Sequence, residues 1–122
     1  MTKRILLVED QEDNRQIVRD LLTTTTDYEV TEAENGEEAL AAVAQQRPDL
    51  ILMDIQLPIM DGYEATRRIK ADPALRAIPI IAVTSYALSG DEEKARAAGC
   101  DDFVPKPFSP RQLLAKIRKW LP

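Results

Sequence analysis

Short, uninterrupted apolar runs recur along this chain, and each is followed by a segment with helical periodicity. Residues 50–53, for example, form an apolar run between a Pro-Asp turn and a loop that contains Pro58. A run this short is typical of a strand buried on both faces, as in the middle of a parallel sheet. Strand and helix alternate five times. The pattern therefore predicts one α/β domain over residues 1–122, with helices on both faces of a parallel sheet and right-handed crossovers.

The predicted strands cover residues 4–8, 29–33, 50–53, 80–83 and 102–104. The predicted helices cover residues 11–24, 37–46, 63–71 and 90–98, and the last helix begins at Pro110 with Ser109 as its N-cap. In the first helix, we expect a stripe formed by Ile17, Val18, Leu21 and Leu22 to face the core. Because β-branched residues continue a helix poorly, the four threonines at 23–26 are expected to fray into a turn.

Four of the five predicted strands end on side chains that can take part in chemistry: Glu9-Asp10, Asp54, Thr84 and Lys106. Open parallel sheets bind ligands outside the carboxyl ends of their strands, where the strand order reverses. If the order is 2-1-3-4-5, the first and third strands are neighbours, and their three acids crowd together. The alternative is a set of unrelated capping and turn acids, which are common in loops.

Three neighbouring carboxylates repel one another, so either their pKa values rise or a cation neutralises them. Oxygen ligands of this kind are what Mg²⁺ accepts. Beside such a cation, Asp54 is the nucleophile that we expect for phosphoryl transfer, with Lys106 and the Thr84 hydroxyl placed to hold phosphoryl oxygens.

The composition excludes several classes of function. The chain contains no histidine, so it cannot use Ser-His-Asp or Cys-His catalysis, bind zinc through histidine or act as a histidine phosphocarrier. Its 21 acids against 16 bases argue against nucleic-acid binding. No apolar run approaches the roughly 20 residues that span a bilayer, so we expect a cytoplasmic protein without a membrane partner. Cys100 is the single cysteine and is expected to be a small core residue.

The whole chain resembles the receiver domain of two-component response regulators, most closely its stand-alone members of the DivK type. The residues that carry the resemblance are Glu9-Asp10, Asp54, the loop at 57–62, Thr84, the Gly-Cys-Asp-Asp stretch at 99–102 and Lys106-Pro107. The resemblance implies a flavodoxin-like, CheY-like fold with five helices and the strand order 2-1-3-4-5.

The resemblance also implies a role for each matching residue. Asp54 would be the phosphoacceptor, and Mg²⁺ would be bound by Glu9, Asp10, Asp54 and the backbone carbonyl of Gln56. Thr84 and Lys106 would contact the phosphoryl group, with a cis peptide bond between Lys106 and Pro107. Thr84 and Phe103 would form the switch pair, although many members of the family carry Tyr at the second position. The partner face would include Tyr86, Phe103, Val104 and Phe108.

By this resemblance, the protein is a phosphorelay switch rather than an enzyme, apart from its own phosphorylation and dephosphorylation. Its partners would be a histidine kinase or histidine phosphotransfer protein and a downstream protein target. We expect a monomer, with a dimer on phosphorylation as the alternative. No effector domain is expected after Pro122, but a fragment of a hybrid kinase or larger regulator remains an alternative, as does an unphosphorylated scaffold.

Two other classes of protein fit the sequence less well. Hydrolases of the haloacid dehalogenase type need a second Asp two residues after the nucleophile, where this chain has Gln56. A nucleotide- or flavin-binding module would need a phosphate-binding loop after the first strand. That loop is Gly-rich in such proteins, whereas residues 9–13 here are mostly acidic and would repel phosphate.

Overall fold

The structure, a computed structural model, describes residues 2–84 and 91–121. Within these ranges the chain forms five strands and five helices that alternate along the sequence. The strands are β1 (Arg4–Val8), β2 (Glu29–Ala33), β3 (Leu50–Asp54), β4 (Ile80–Thr84) and β5 (Asp102–Pro105). The helices are α1 (Glu12–Thr25), α2 (Gly36–Gln45), α3 (Gly62–Ala71), α4 (Asp91–Ala98) and α5 (Pro110–Trp120). None of these described helices is both long and apolar enough to cross a membrane.

All pairings within the sheet are parallel, and the strand order is β2-β1-β3-β4-β5. The α/β prediction and the strand order implied by the resemblance are therefore confirmed. β1 lies between β2 and β3, and Val8 pairs with Ala33 on one side and Met53 on the other. Consequently, the segments that leave the carboxyl ends of β1 and β3 start next to each other.

Successive residues of β3 point to opposite faces of the sheet, and all of them are buried. Ile51 and Met53 pack in the apolar cluster that includes α2, α3 and α4, whereas Leu50 and Leu52 pack in the cluster that includes α1 and α5. This double burial explains why the sequence shows a continuous apolar run instead of alternation.

The prediction that Ile17 faces the core is wrong: Ile17 is 66% exposed. The buried residues of α1 are Arg15, Val18 and Leu22, which recur at the three- and four-residue spacing of one helix face. Ile17 lies about 100° away from Val18 around the helix axis. The apolar stripe is thus narrower than the sequence indicated, and an arginine occupies one of its positions.

The threonine run does not fray as expected, because α1 continues to Thr25. The hydroxyl of Thr23 donates to the carbonyl of Arg19 at 2.9 Å, and that of Thr24 donates to the carbonyl of Asp20 at 2.6 Å. The hydroxyl of Thr25 donates to the carbonyl of Leu21. These bonds to the preceding turn give the exposed hydroxyls partners inside the helix, so β-branching alone does not end it.

Most other element boundaries differ from the predictions by one or two residues. Three strands extend further than predicted, so that Asp54, Thr84 and Pro105 are the last residues of β3, β4 and β5. The predicted start of the fourth helix at residue 90 lies outside the described residues. Ser109 caps α5 as predicted: its side chain accepts from the backbone N–H of Gln112.

Candidate functional site

Three carboxylates meet at the carboxyl edge of the sheet. Glu9 and Asp10 follow β1, and Asp54 ends the neighbouring strand β3. Each of these side chains offers one oxygen, and the three oxygens lie within 4.8 Å of one another. Only 5% of Glu9 and 4% of Asp54 are exposed, whereas Asp10 is half-buried. The structure therefore brings together the acids that the sequence analysis placed in one cleft.

Lys106 reaches this cluster from beyond β5. Its Nζ lies 2.9 Å from Oε1 of Glu9 and 3.2 Å from Oδ2 of Asp54. Burial disfavours the charged ammonium, but the hydrogen bond that Lys106 donates to Glu9 and the negative charge of Asp54 outweigh it and raise the pKa of Lys106. The Lys106–Pro107 peptide bond is cis. The lysine is therefore held as a cation between two acids.

The charge balance of this cluster fits a divalent cation. Burial and then the neighbouring Glu9 raise the pKa of Asp10, so the carboxylate is disfavoured without further neutralisation. With all groups ionised, three carboxylates against one ammonium leave two negative charges. The donor atoms are all oxygens, the kind that Mg²⁺ prefers. The residues therefore fit a Mg²⁺ ion by both charge and chemistry.

The Asp54 carboxylate is oriented by contacts to both of its oxygens. Oδ1 accepts a hydrogen bond from the backbone N–H of Gln56 at 3.0 Å, and Oδ2 accepts one from Lys106. The chain returns past this point at Gly62, whose N–H donates to the carbonyl of Ile55. A Cβ atom at Gly62 would lie 2.3 Å from the Asp54 carbonyl oxygen, so only glycine permits this close approach.

Thr84 lies at the end of β4, the strand between those that lead to Asp54 and Lys106. Thr84 is fully buried, and its Oγ1 accepts a hydrogen bond from Nε2 of Gln56 at 3.2 Å. Phe103 is buried in the α2–α4 cluster, and its strand β5 pairs with β4. Thr84 and Phe103 thus lie on adjacent strands, with Phe103 opposite Ala82, two residues before Thr84.

The described residues of the expected partner face are largely buried. Phe103 and Val104 are buried, and Phe108 is half-buried. Tyr86 lies outside the described residues. In this arrangement a partner could sense Phe103 and Val104 only through the residues that cover them.

A cleft of about 560 Å³ opens beside the acids. Glu9, Asp54 and Lys106 line it, together with apolar side chains from α1, β3 and α5. The exposed Ile17 and the half-buried Phe108 also line it. A bound molecule would therefore meet charged groups and an apolar wall in one site.

Two further residues clarify the surroundings of the site. Cys100 is buried, as expected for a core residue, and burial raises the pKa of its thiol to about 11, which disfavours a reactive thiolate.

Arg15, which the sequence analysis did not single out, donates to the backbone carbonyls of Glu9 and Asp10. Its position five residues after Asp10, among acids, was the available signal.

The family model for the response regulator receiver domain matches residues 5–118. The chain is also 46% identical over 121 residues to the polar-differentiation response regulator DivK of Brucella anthropi, covering 99% of this chain and 98% of that protein. The DivK of Brucella ovis is 45% identical over the same length and coverage.

Solved structures show the same likeness. The receiver domain of a sensor histidine kinase from Pseudomonas aeruginosa is 40% identical with a TM-score of 0.91, covering 99% of this chain and 98% of that chain. That crystal structure has a magnesium ion coordinated in its active site cleft. The chemotaxis protein CheY4 of Vibrio cholerae is 29% identical with a TM-score of 0.91, covering 98% of each chain.

Proposed function

Because this chain belongs to the family of response regulator receiver domains, we propose that it accepts a phosphoryl group on Asp54 in a Mg²⁺-dependent reaction and thereby switches its binding to a partner protein. The observation that carries this proposal is the arrangement around Asp54. Its carboxylate lies in a cleft beside two further acids and within 3.2 Å of the Lys106 ammonium. Residues 1–122 act in this way as a single receiver domain, whether alone or within a larger regulator.

The phosphoryl group must come from outside, because the chain has no histidine of its own. The donor is a phosphohistidine of a histidine kinase or phosphotransfer protein, or a small acyl phosphate. An Asp54 oxygen forms a bond to phosphorus while the phosphorus–nitrogen bond of the phosphohistidine breaks. The imidazole leaves with that electron pair and takes up a proton from solvent. In such transfers the protein contributes mainly by positioning the reacting groups and by neutralising the charge on the phosphoryl oxygens.

The chain's own groups assist this step in distinct ways. The Lys106 ammonium and the Thr84 hydroxyl donate hydrogen bonds to phosphoryl oxygens, as charge accumulates there. Glu9, Asp10, Asp54 and the carbonyl of Gln56 would hold Mg²⁺. When bound, that ion neutralises charge on the phosphoryl oxygens. Gln56 offers an amide at the position where a haloacid dehalogenase needs a general acid, so a hydrolase is the weaker candidate.

A protein donor agrees with the surface around the cleft. Ile17 is a large, exposed apolar residue, and it lines the same cleft as Asp54. Together with the half-buried Phe108 in the same cleft, Ile17 provides an apolar surface beside the reacting carboxylate that a protein donor can contact. We place this exchange in the cytoplasm, with a monomer that meets first its phosphodonor and then a downstream protein.

Incubation with acetyl phosphate tests this proposal without a cognate kinase. With Mg²⁺ present, intact-mass spectrometry should find one added phosphoryl group that is lost in base. With EDTA in place of Mg²⁺, the labelled fraction should fall to background. Equal labelling under the two conditions would contradict the metal-dependent reaction.

The output of the switch can be tested by amide hydrogen exchange. A phosphoryl group on Asp54 draws in Thr84 and Lys106, and the space that Thr84 leaves admits Phe103. Beryllofluoride, a phosphoryl analogue, should therefore change protection across residues 84–108. Thr84→Ala should lose much of this change, whereas Thr84→Ser, which keeps the hydroxyl, should retain it. Changes confined to α1 would exclude this output face.

A further inference from the structure

We propose that Arg15 is a positioning residue of the Mg²⁺ site, which it serves by fixing the backbone on both sides of Asp10. The inference rests on the metal site proposed above and adds a residue outside its ligand set. Arg15 follows Asp10 by five residues and occupies the first turn of α1. At 9% exposure it is a nearly buried cation, which needs a specific set of partners to be tolerated.

The guanidinium group binds the loop between β1 and α1 through its carbonyls. Nη1 lies 2.9 Å from the Glu9 carbonyl oxygen and 3.3 Å from the Asp10 carbonyl oxygen. These two carbonyls belong to the two peptide planes that flank the Cα of Asp10. Since a peptide unit is planar, holding both planes limits the backbone dihedral angles of Asp10 and hence the direction of its Cβ.

The other side of the guanidinium is anchored on and just beyond β2. Nε lies 3.3 Å from Oε1 of Glu32, and Nη2 lies 3.3 Å from Oε1 of Glu34. The N–H of Glu9 also donates to the Ala33 carbonyl at 3.0 Å. Arg15 therefore ties the metal-binding loop to a neighbouring strand of the sheet. Groups that orient metal ligands in this way commonly change metal affinity by about 10–100-fold when removed.

A role of Arg15 through its charge and a role through orienting Asp10 predict opposite effects of Arg15→Met on the Mg²⁺ affinity. If Arg15 acted only through its charge, its removal would make the site more negative and would tighten Mg²⁺ binding. If it holds the Asp10 backbone in place, its removal should weaken Mg²⁺ binding. A residue that only stabilises the fold would lower the melting temperature but would leave the Mg²⁺ affinity of the folded protein unchanged.

Arg19 provides a matched control. It lies one turn further along α1 and also binds Glu32, with its Nη1 at 2.9 Å from Oε2. Among the residues that the structure describes, its guanidinium donates hydrogen bonds to Glu32 and not to the carbonyls of the loop. Arg19→Met thus removes the same charge from the same helix and the same acid, without releasing the backbone around Asp10.

The test is an NMR titration of the whole chain with MgCl₂, following backbone amide shifts at residues 9–11. We expect Arg15→Met to raise the Mg²⁺ dissociation constant about 10–100-fold. Arg19→Met should leave it at or slightly below the wild-type value. Equal constants for Arg15→Met and wild type, or tighter binding by Arg15→Met, would overturn the positioning role.

Arg15→Lys keeps the test decisive if Arg15→Met does not fold. Lysine retains the charge but cannot present a planar fork to two carbonyls and two carboxylates at once. A weaker Mg²⁺ affinity in Arg15→Lys would support orientation, and a wild-type affinity would overturn it. If the wild-type protein itself shows no Mg²⁺ response, the metal site fails and this inference fails with it. A wild-type response that both Arg15 variants retain refutes the role of Arg15 alone.

Discussion

Asp54→Asn should reduce phosphoryl labelling by acetyl phosphate to background. The amide has nearly the size of the carboxylate and can still accept a hydrogen bond from the Gln56 N–H. It lacks the anionic oxygen that attacks phosphorus, so the reaction loses its nucleophile rather than its fold. Intact-mass spectrometry of wild type and variant, incubated side by side with Mg²⁺, measures the difference.

Asp61→Asn is a suitable control for this substitution. Asp61 is an exposed acid in the loop after β3, and its side chain caps α3 by accepting from the Glu64 N–H. Asparagine caps helices as well as aspartate does, so the fold should be kept. This control should be labelled as fully as wild type. Persistent labelling of Asp54→Asn would show that another residue accepts the phosphoryl group.

Asp10→Ala should abolish the stabilisation of the protein by Mg²⁺. An ion that binds only the folded chain at about ten times its dissociation constant adds about 1.4 kcal/mol to the free energy of unfolding. For a domain of this size, that is a rise of about 5 °C in melting temperature. Removing Asp10 takes away one of three clustered carboxylates, so the rise should disappear. Thermal unfolding with MgCl₂, in the millimolar range where we expect binding, measures it.

Asp13→Ala is the matched control, since it removes an exposed acid from the first turn of α1, outside the carboxylate cluster. It should keep the full Mg²⁺ response. If Asp10→Ala responds to Mg²⁺ as strongly as Asp13→Ala does, the ion is not held by this cluster.

The strands and the polar residues at their ends could be predicted because they depend on patterns local to the chain. In β3, for example, four apolar residues lead directly to Asp54, so both the strand and the position of this acid can be predicted from one stretch of sequence. The strand order came from the resemblance to receiver domains. It made β1 and β3 neighbours and thus placed Glu9 beside Asp54.

Other features could not be predicted because they depend on contacts between distant parts of the chain. The carboxylates that anchor Arg15 belong to Glu32 and Glu34, on and just beyond β2. The hydrophobic periodicity of α1 does not indicate that Arg15 pairs with these two residues. Asp102 is another example: it is buried, and its carboxylate accepts hydrogen bonds from Lys116 and from the indole of Trp120. By periodicity Trp120 belongs to the apolar stripe of α5, but this bond also ties the helix to β5.

The most direct measurement of the central claim is to locate the phosphoryl group on the wild-type chain. After incubation with acetyl phosphate and Mg²⁺, borohydride reduces an aspartyl phosphate to homoserine, and tandem mass spectrometry of the peptides then identifies the residue. We predict one converted position, Asp54, absent from the sample treated with EDTA. Conversion at another residue, or a phosphoryl group on a hydroxyl that resists reduction, would contradict the assignment of Asp54 as the acceptor.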